Sequence, residues 1–413
     1  MNRTPLIIGG SLAVVAVVVA VALAGGGGGP PAAAPAATAT SSTTAVTTAP
    51  GELLPPQEVP GHLAHLTSVW ATDWTRATVD LDEILPGLQA ANPRDLIAPL
   101  DNPTLESVAS ADDWLADREP GVLFQEFGVT RFYPRQILTS HAIVNDTAGG
   151  VPVAVTYCPL CNSAVAFRRE VDGQVIRLGT SGLLRNSDLI MWDDRSESLW
   201  QQITGEAIVG ERAGNRLEFL PVSLVSWGDL KSNFPDAEVL SQDTGFPFDY
   251  GRNGYVGYTS RDRDYGYYSG PVDDRLPALE RVVGVRVEGI AKAYPFSVIS
   301  TERAVDDEVA GVAITVWWGS ADTADNLDTP RIVDGQAVGT GVAYERRVAD
   351  RTLTFSAIGD SEFEDAETGS RWTILGIATS GPLAGTQLTP VLHLNEFWFA
   401  WWGFNTGADV YLP

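Results

Sequence analysis

An internal repeat constrains this chain more than any single motif, because self-similarity at a fixed spacing determines the architecture within which every motif must be read. The segment Phe132-Tyr133-Pro134-Arg135-Gln136-Ile137-Leu138 is echoed by Ala293-Tyr294-Pro295-Phe296-Ser297-Val298-Ile299, an offset of 161 from Tyr133 to Tyr294. At the same offset Val144-Asn145-Asp146 meets Val305-Asp306-Asp307, Gly150 meets Gly311, and the run from Val153 to Tyr157 meets Ile314 to Trp318. After an insertion in the second copy the likeness resumes, Ala166 to Arg169 against Ala343 to Arg346. It closes with Leu220-Pro221-Val222 against Thr389-Pro390-Val391, and with the Trp227 to Phe234 spacing against Phe397 to Phe404. Two duplicated β-rich lobes are expected at 120–245 and 280–413, joined by a Tyr-rich segment at 246–279 and preceded by an extension at 61–119 that packs on the core.

Within each lobe the apolar runs are short, rich in Val, Ile, Thr and aromatics, and bounded by Gly, Asp and Asn, the signal of strands and turns. Strands are expected at 152–157, 163–168, 175–178, 189–192 and 208–209, with a hairpin turn at Val171-Asp172-Gly173-Gln174. Val144-Asn145-Asp146 reads as a turn. Helical pattern is sparser, at 105–116, 223–234 and 395–404. The fold class is α+β, predominantly antiparallel β, and not a doubly wound sheet.

Upstream of the repeat, Leu6 to Ala24 carry no charge and only small or apolar side chains. A run of that length crosses a bilayer core of roughly 30 Å as a helix. A signal anchor or transmembrane helix is expected over 1–24, making the membrane a partner and holding the rest outside the cytoplasm in a single-pass cell-membrane protein. Ala22-Leu23-Ala24 also fits a signal-peptidase site, which leaves secretion as the alternative. Residues 25–60, dominated by Ala, Pro, Thr and Gly, read as a disordered linker. The net charge of −25, with Lys231 and Lys292 as the only lysines, argues against nucleic acid as a partner, since phosphate contacts need clustered cations.

Chemistry is carried by the only two cysteines, Cys158 and Cys161, with a strand running into the motif and another running out of it. Two intervening residues let both sulfurs face one point, where they can close a reversible disulfide or hold a metal. They are too few to be a disulfide framework. One reading is a thiol-disulfide redox site in which Cys158 is the more exposed attacking thiol, Cys161 resolves it, and a redox protein is the partner. The other is a non-catalytic metal or ligand site using Cys158, Cys161 and His141, for which soft donors suggest zinc or copper; no cofactor is required by the first reading. A structural disulfide is a third. Gly319 and Asp322 stand at the matching offsets in the second copy, so the motif's role is confined to the first. Binding candidates around it are His141, Asn145, Asp146, Ser181, Asn186, Asp188, Trp200 and Glu206. Of these Asn186, Asp188 or Glu206 could shuttle protons to a thiolate, and Trp200 could line a cleft, although turns between strands use the same residue types. There is no phosphate loop, His-Glu-x-x-His pair or nucleophile elbow, and whether the protein is an enzyme stays open.

The run from Tyr157 through Cys158-Pro159-Leu160-Cys161 to Phe167, preceded by His141 to Asp146 and followed by Thr180 to Asp188 and Glu197 to Gln202, resembles the family catalogued as domain of unknown function 3179 over roughly residues 95 to 413. The resemblance implies an exported or membrane-bound prokaryotic protein. Relatives with selenocysteine in place of cysteine imply redox chemistry over a structural metal. Asn162 replaces the commoner glycine after the motif, which leaves the thiol geometry intact.

Overall fold

Alternating Val, Ala, Thr and aromatic residues from Ile143 to Arg168 zip into a meander, Ile143–Ala148 against Val151–Cys158 against Ser163–Arg168. The computed structural model describes residues 51–260 and 267–412. The meander is the middle of a five-stranded sheet, with Glu218–Leu220 on one edge and Leu100–Asp101 on the other. A second five-stranded sheet runs in the order Val222–Ser226, Pro120–Phe124, Arg131–Pro134, Glu238–Leu240, Leu105–Ser107. A third holds Leu85–Pro86, Leu178–Arg185, Asp188–Asp193, Leu199–Gln201 and Ala207–Val209. Helix makes up 12 % of the structure and comes in short pieces, so the fold is β-rich α+β.

The same succession of elements recurs after residue 280. Ala304–Val309, Val312–Gly319 and Thr340–Glu345 form a second meander. His393–Phe397, Arg281–Val287, Ile290–Pro295 and Asp409–Val410 follow the order of the second sheet. The last strand is parallel to its neighbour, as Glu238–Leu240 is to Arg131–Pro134. Phe355–Ala357, Glu362–Asp365, Arg371–Thr373 and Ala378–Ser380 repeat the third. Helices Arg135–His141 and Phe296–Glu302 each follow a proline and stop at a residue of positive φ, Ala142 at 59° and Arg303 at 67°. Residues 320–339 stand where the first half has only 159–162.

The two halves do not enclose separate interiors. One apolar cluster joins Cys158, Cys161, Val165 and Trp200 to Phe397, Trp398 and Trp401. Another joins Phe132 and Trp227 to Trp317, Phe363 and Trp372, with the Trp317 and Phe363 rings stacked at 4.2 Å. The N-terminal extension adds a third, Leu63, Trp70 and Trp74 against Ile190, Leu199 and Ile208.

Polar devices also recur. Asp146 accepts from Tyr133 Oη at 2.7 Å and pairs with Arg131 at 2.7 Å; Asp307 accepts from Tyr294 Oη at 2.8 Å and pairs with Lys292 at 2.8 Å. Asn145 Oδ1 takes the N–H of Leu178, and Asp306 Oδ2 that of Phe355. Asp193, fully buried, accepts from the Ser196 hydroxyl and Trp200 Nε1, as buried Asp365 does from Thr368 and Trp372.

Several expectations are corrected. The run 105–116 is a strand followed by the single turn Val108–Ala111, with Ser107 capping Ser110 N. In 223–234 and 395–404 the opening residues are taken by the strands Val222–Ser226 and His393–Phe397, and the helices start only at Trp227 and Trp398. An apolar face satisfies either ladder, and pairing to a neighbouring strand decided it. Val144-Asn145-Asp146 lies inside a strand, the turn falling at Gly149-Gly150. Residues 175–178 are not one strand: Val175 ends a hairpin and Leu178 begins the next element.

The expectation of a membrane partner is corrected too. Among the described residues no helix is long and apolar enough to cross a membrane, and the run 1–24 on which it rested, with residues 25–50 of the expected linker 25–60, lies outside them.

Asp365→Ala strands a buried indole N–H and the Thr368 donors, so it is expected to cost about 2–4 kcal/mol of unfolding free energy in a denaturant titration. Glu308→Ala, on an exposed position, is expected to stay within about 0.5 kcal/mol.

Candidate functional site

Antiparallel pairing sets Cys158 opposite Ser163, so Pro159 to Asn162 must reverse the chain within one rung. Pro159 contributes its fixed φ and Asn162 a left-handed one of 61°. The turn brings Cys161 back onto Cys158: the two approach to 3.2 Å, and both thiols are free. Cys158 is 3 % exposed and Cys161 0 %, so both thiols are inside and Cys158 is only slightly the more exposed. The cover comes from elsewhere in the chain. Tyr258 Oη donates to Leu160 O at 2.8 Å, and Phe397 N donates to Cys161 O at 3.0 Å.

Strand Asp188–Asp193 starts beside the turn and delivers a carboxylate to it. Cys161 Sγ donates to Asp188 Oδ1 at 3.1 Å, while Asp188 Oδ2 accepts from Gln201 Nε2 at 2.6 Å and Ile203 N at 3.0 Å. Burial pushes the Asp188 carboxyl up to about 6, against the pull of these donors. Burial, the neighbouring Cys158 and the acids Asp188 and Glu396 hold the Cys161 thiol well above its usual range. Ser163 Oγ touches Cys161 Sγ at 3.3 Å and donates to Gln202 Oε1. Cys158 Sγ is turned to Ser187 O at 3.6 Å.

The second half supplies a further acid. Glu396 belongs to His393–Phe397, the strand that docks on the cysteine turn, and is fully buried with neither carboxylate oxygen hydrogen bonded. Burial lifts it to about 8, with Arg286 drawing it down and Asp188 pushing it up. Arg286 is itself held by Ile203 O and Asn405 Oδ1 and lies over the Trp401 ring. Sequence separation hid Glu396, but an acid inside Leu394-Asn395-Glu396-Phe397-Trp398 is a visible signal: burial there demands a reason.

The other expected residues are distributed differently. His141 is buried with Nδ1 on Ala98 O and Nε2 on Tyr250 Oη, each at 2.6 Å. It does not join the group of three whose ligand atoms lie within 4.8 Å of one another, namely Cys158, Cys161 and Asp188; in place of His141 the structure puts Asp188 beside the thiols. Asn145 and Asp146 perform the strand-tying tasks that Asp306 and Asp307 perform in the half without cysteines. Trp200 is buried on Asp193, as Trp372 is on Asp365. Ser181 Oγ donates to Ile190 O. Asn186 is buried at a left-handed turn next to Ser187. Glu206 binds Gly51 N and Arg216. Asp188 has no buried twin: at the same distance before Asp365 stands Asp360, a half-exposed side chain paired with Arg303.

Fold and site together define a β-rich protein with an interior dithiol and carboxylate centre built from one half of a recurring architecture and closed by the other. The chain belongs to the family described as protein of unknown function (DUF3179), whose profile matches residues 94–408. No curated protein and no solved structure matches it.

A carboxyl raised in the folded state adds stability that is complete below its ordinary pKa and is lost as pH rises toward the folded one. Relative to Glu396→Gln, the wild-type protein is therefore expected to lose stability between about pH 4.5 and about pH 8 and to change little beyond. Unfolding midpoints of both proteins across that window check it; parallel curves would show that Glu396 does not titrate inside the fold.

Proposed function

We propose that the protein is a thiol-disulfide redox protein in which Asp188 serves Cys161 as proton acceptor. The observation that carries this reading is the contact of Asp188 with Cys161 beside a free, touching Cys158. A dithiol becomes a disulfide only by losing two protons with two electrons, and the proton most costly to remove is on the fully buried sulfur. A carboxylate within hydrogen-bond reach, with a pKa brought toward neutrality, suits that task.

Cys158, with its slight exposure, attacks one sulfur of a substrate disulfide R–S–S–R′ as the thiolate, forming a mixed disulfide and releasing R′–S⁻, which takes up the proton that Cys158 gave to solvent. Cys161 then passes its proton to Asp188 as its sulfur attacks Cys158 Sγ, and R–S⁻ leaves and is protonated. Two protein thiols and one disulfide become one protein disulfide and two thiols, so atoms and electrons balance. The same steps run backwards when the substrate is a dithiol.

Asp188→Asn keeps the shape of the side chain and removes the acceptor, so the resolving step is expected to slow about 100-fold at neutral pH. In the wild type that step should accelerate as pH rises through about 6, where Asp188 ionises. Cys161→Ser should trap a mixed disulfide on Cys158, seen by intact-mass analysis after exposure to a small disulfide. An Asp188→Asn protein that resolves as fast as wild type would overturn the assignment. Metal analysis of the same anaerobic sample tests the alternative: a stoichiometric zinc or copper ion lost on Asp188→Asn would make this a metal-binding protein instead.

A further inference from the structure

A cleft on the far side of the cysteine turn carries positive charge without enough negative charge to match it. Arg135 and Arg281 face it, together with Asn162, Asn395, Thr323 and Thr340, around a small cavity of about 20 Å³. Arg135, the first residue of helix Arg135–His141, is 4 % exposed. Its guanidinium donates to Tyr157 Oη and Asn162 Oδ1, and its Nε has no partner. Neither acceptor is an anion, for burial raises the Tyr157 phenol and keeps it neutral. Arg281 Nη2 pairs with Asp325 Oδ1 at 2.8 Å. Among the described residues no carboxylate pairs with Arg135 directly, and Asp325 acts on both arginines.

Two guanidiniums against one carboxylate leave a surplus positive charge in a poorly solvated cleft. Such a charge is costly to bury unless an anion joins it. Guanidinium forks match the oxygens of carboxylate, sulfate and phosphate. The Thr340 hydroxyl, 3.1 Å from Thr323 Oγ1, adds one neutral donor to the wall, the Thr323 proton being given to Ser320 O at 2.8 Å.

We propose that the cleft between Arg135 and Arg281 is a binding site for a small oxyanion, inorganic or the carboxylate of a small organic acid. The site belongs to both halves: Arg135 and Asn162 come from the first, Arg281, Thr323, Thr340 and Asn395 from the second. It also abuts the dithiol, since Arg135 holds Tyr157 and Asn162, the residues on either side of Cys158 and Cys161. Its occupancy therefore bears on how firmly that turn is held. Binding is read directly, so the site stands or falls apart from the thiol chemistry.

The test is calorimetric titration of inorganic phosphate, sulfate and acetate, each separately, into the full chain in a zwitterionic buffer at constant ionic strength. Saturable binding of one ion per chain is expected for at least one of them, with a matching rise in melting temperature. Preference for phosphate or sulfate would mark an inorganic oxyanion, and preference for acetate a carboxylate. Arg135→Gln should weaken binding about 10- to 100-fold through the loss of charge-assisted hydrogen bonds. Should that variant fail to fold, Arg281→Lys decides: it keeps the positive charge beside Asp325, removes the planar fork, and is expected to weaken anion binding about 10-fold. Absence of saturable binding for all three anions, or binding unchanged in Arg281→Lys, would overturn the proposal.

Discussion

The seam between strand His393–Phe397 and the turn Pro159 to Asn162 is the contact on which the interior chemistry of this protein depends. Phe397 N donates to Cys161 O, and Asn162 Nδ2 donates to Asn395 O. Through these two bonds a strand of the second half closes a turn of the first. The docking removes the cysteines from solvent, places Glu396 near Cys161 and Asp188, and brings Arg281 across from Arg135. Without the seam the turn would be an exposed hairpin loop carrying two ordinary thiols.

Recurrence of the fold separates structural polar residues from those with another task. Where a side chain and its counterpart perform the same bond, as Asp146 and Asp307 or Asp193 and Asp365 do, the bond ties strands together and would be needed whatever the protein did. The residues without a like counterpart are different. Cys158 has Gly319 at its offset, buried Asp188 has solvent-facing Asp360, and Glu396 stands where the matching strand has the apolar Val225. These departures meet at one place, which is the physical reason for locating the site there.

A chain with a net charge of −25 keeps most of its acids in water, where they repel one another weakly. Asp188 and Glu396, taken inside, behave otherwise. Low dielectric surroundings favour their neutral forms, and Arg286 opposes that at Glu396 only in part. Groups that would be permanently ionised on the surface thereby gain proton affinities near neutrality, as a site that moves protons requires.

Much was legible in the sequence alone. Period-two patterning marked the strands of the cysteine meander. Asp188 was a candidate because it lies close behind the motif in the chain. His141 was read as a ligand for the same reason, yet nearness in sequence did not carry it there: its ring faces Ala98 and Tyr250 on the other side of the sheet. Glu396, Arg286 and Arg281 belong to a half with no cysteines, and nothing local distinguishes them except charge within apolar runs. Local patterning determines which residues alternate and where turns fall, because backbone sterics and hydrogen bonding act over a few residues. Which buried charges meet was decided only by tertiary structure, because desolvation and pairing act between groups that the chain separates by hundreds of positions.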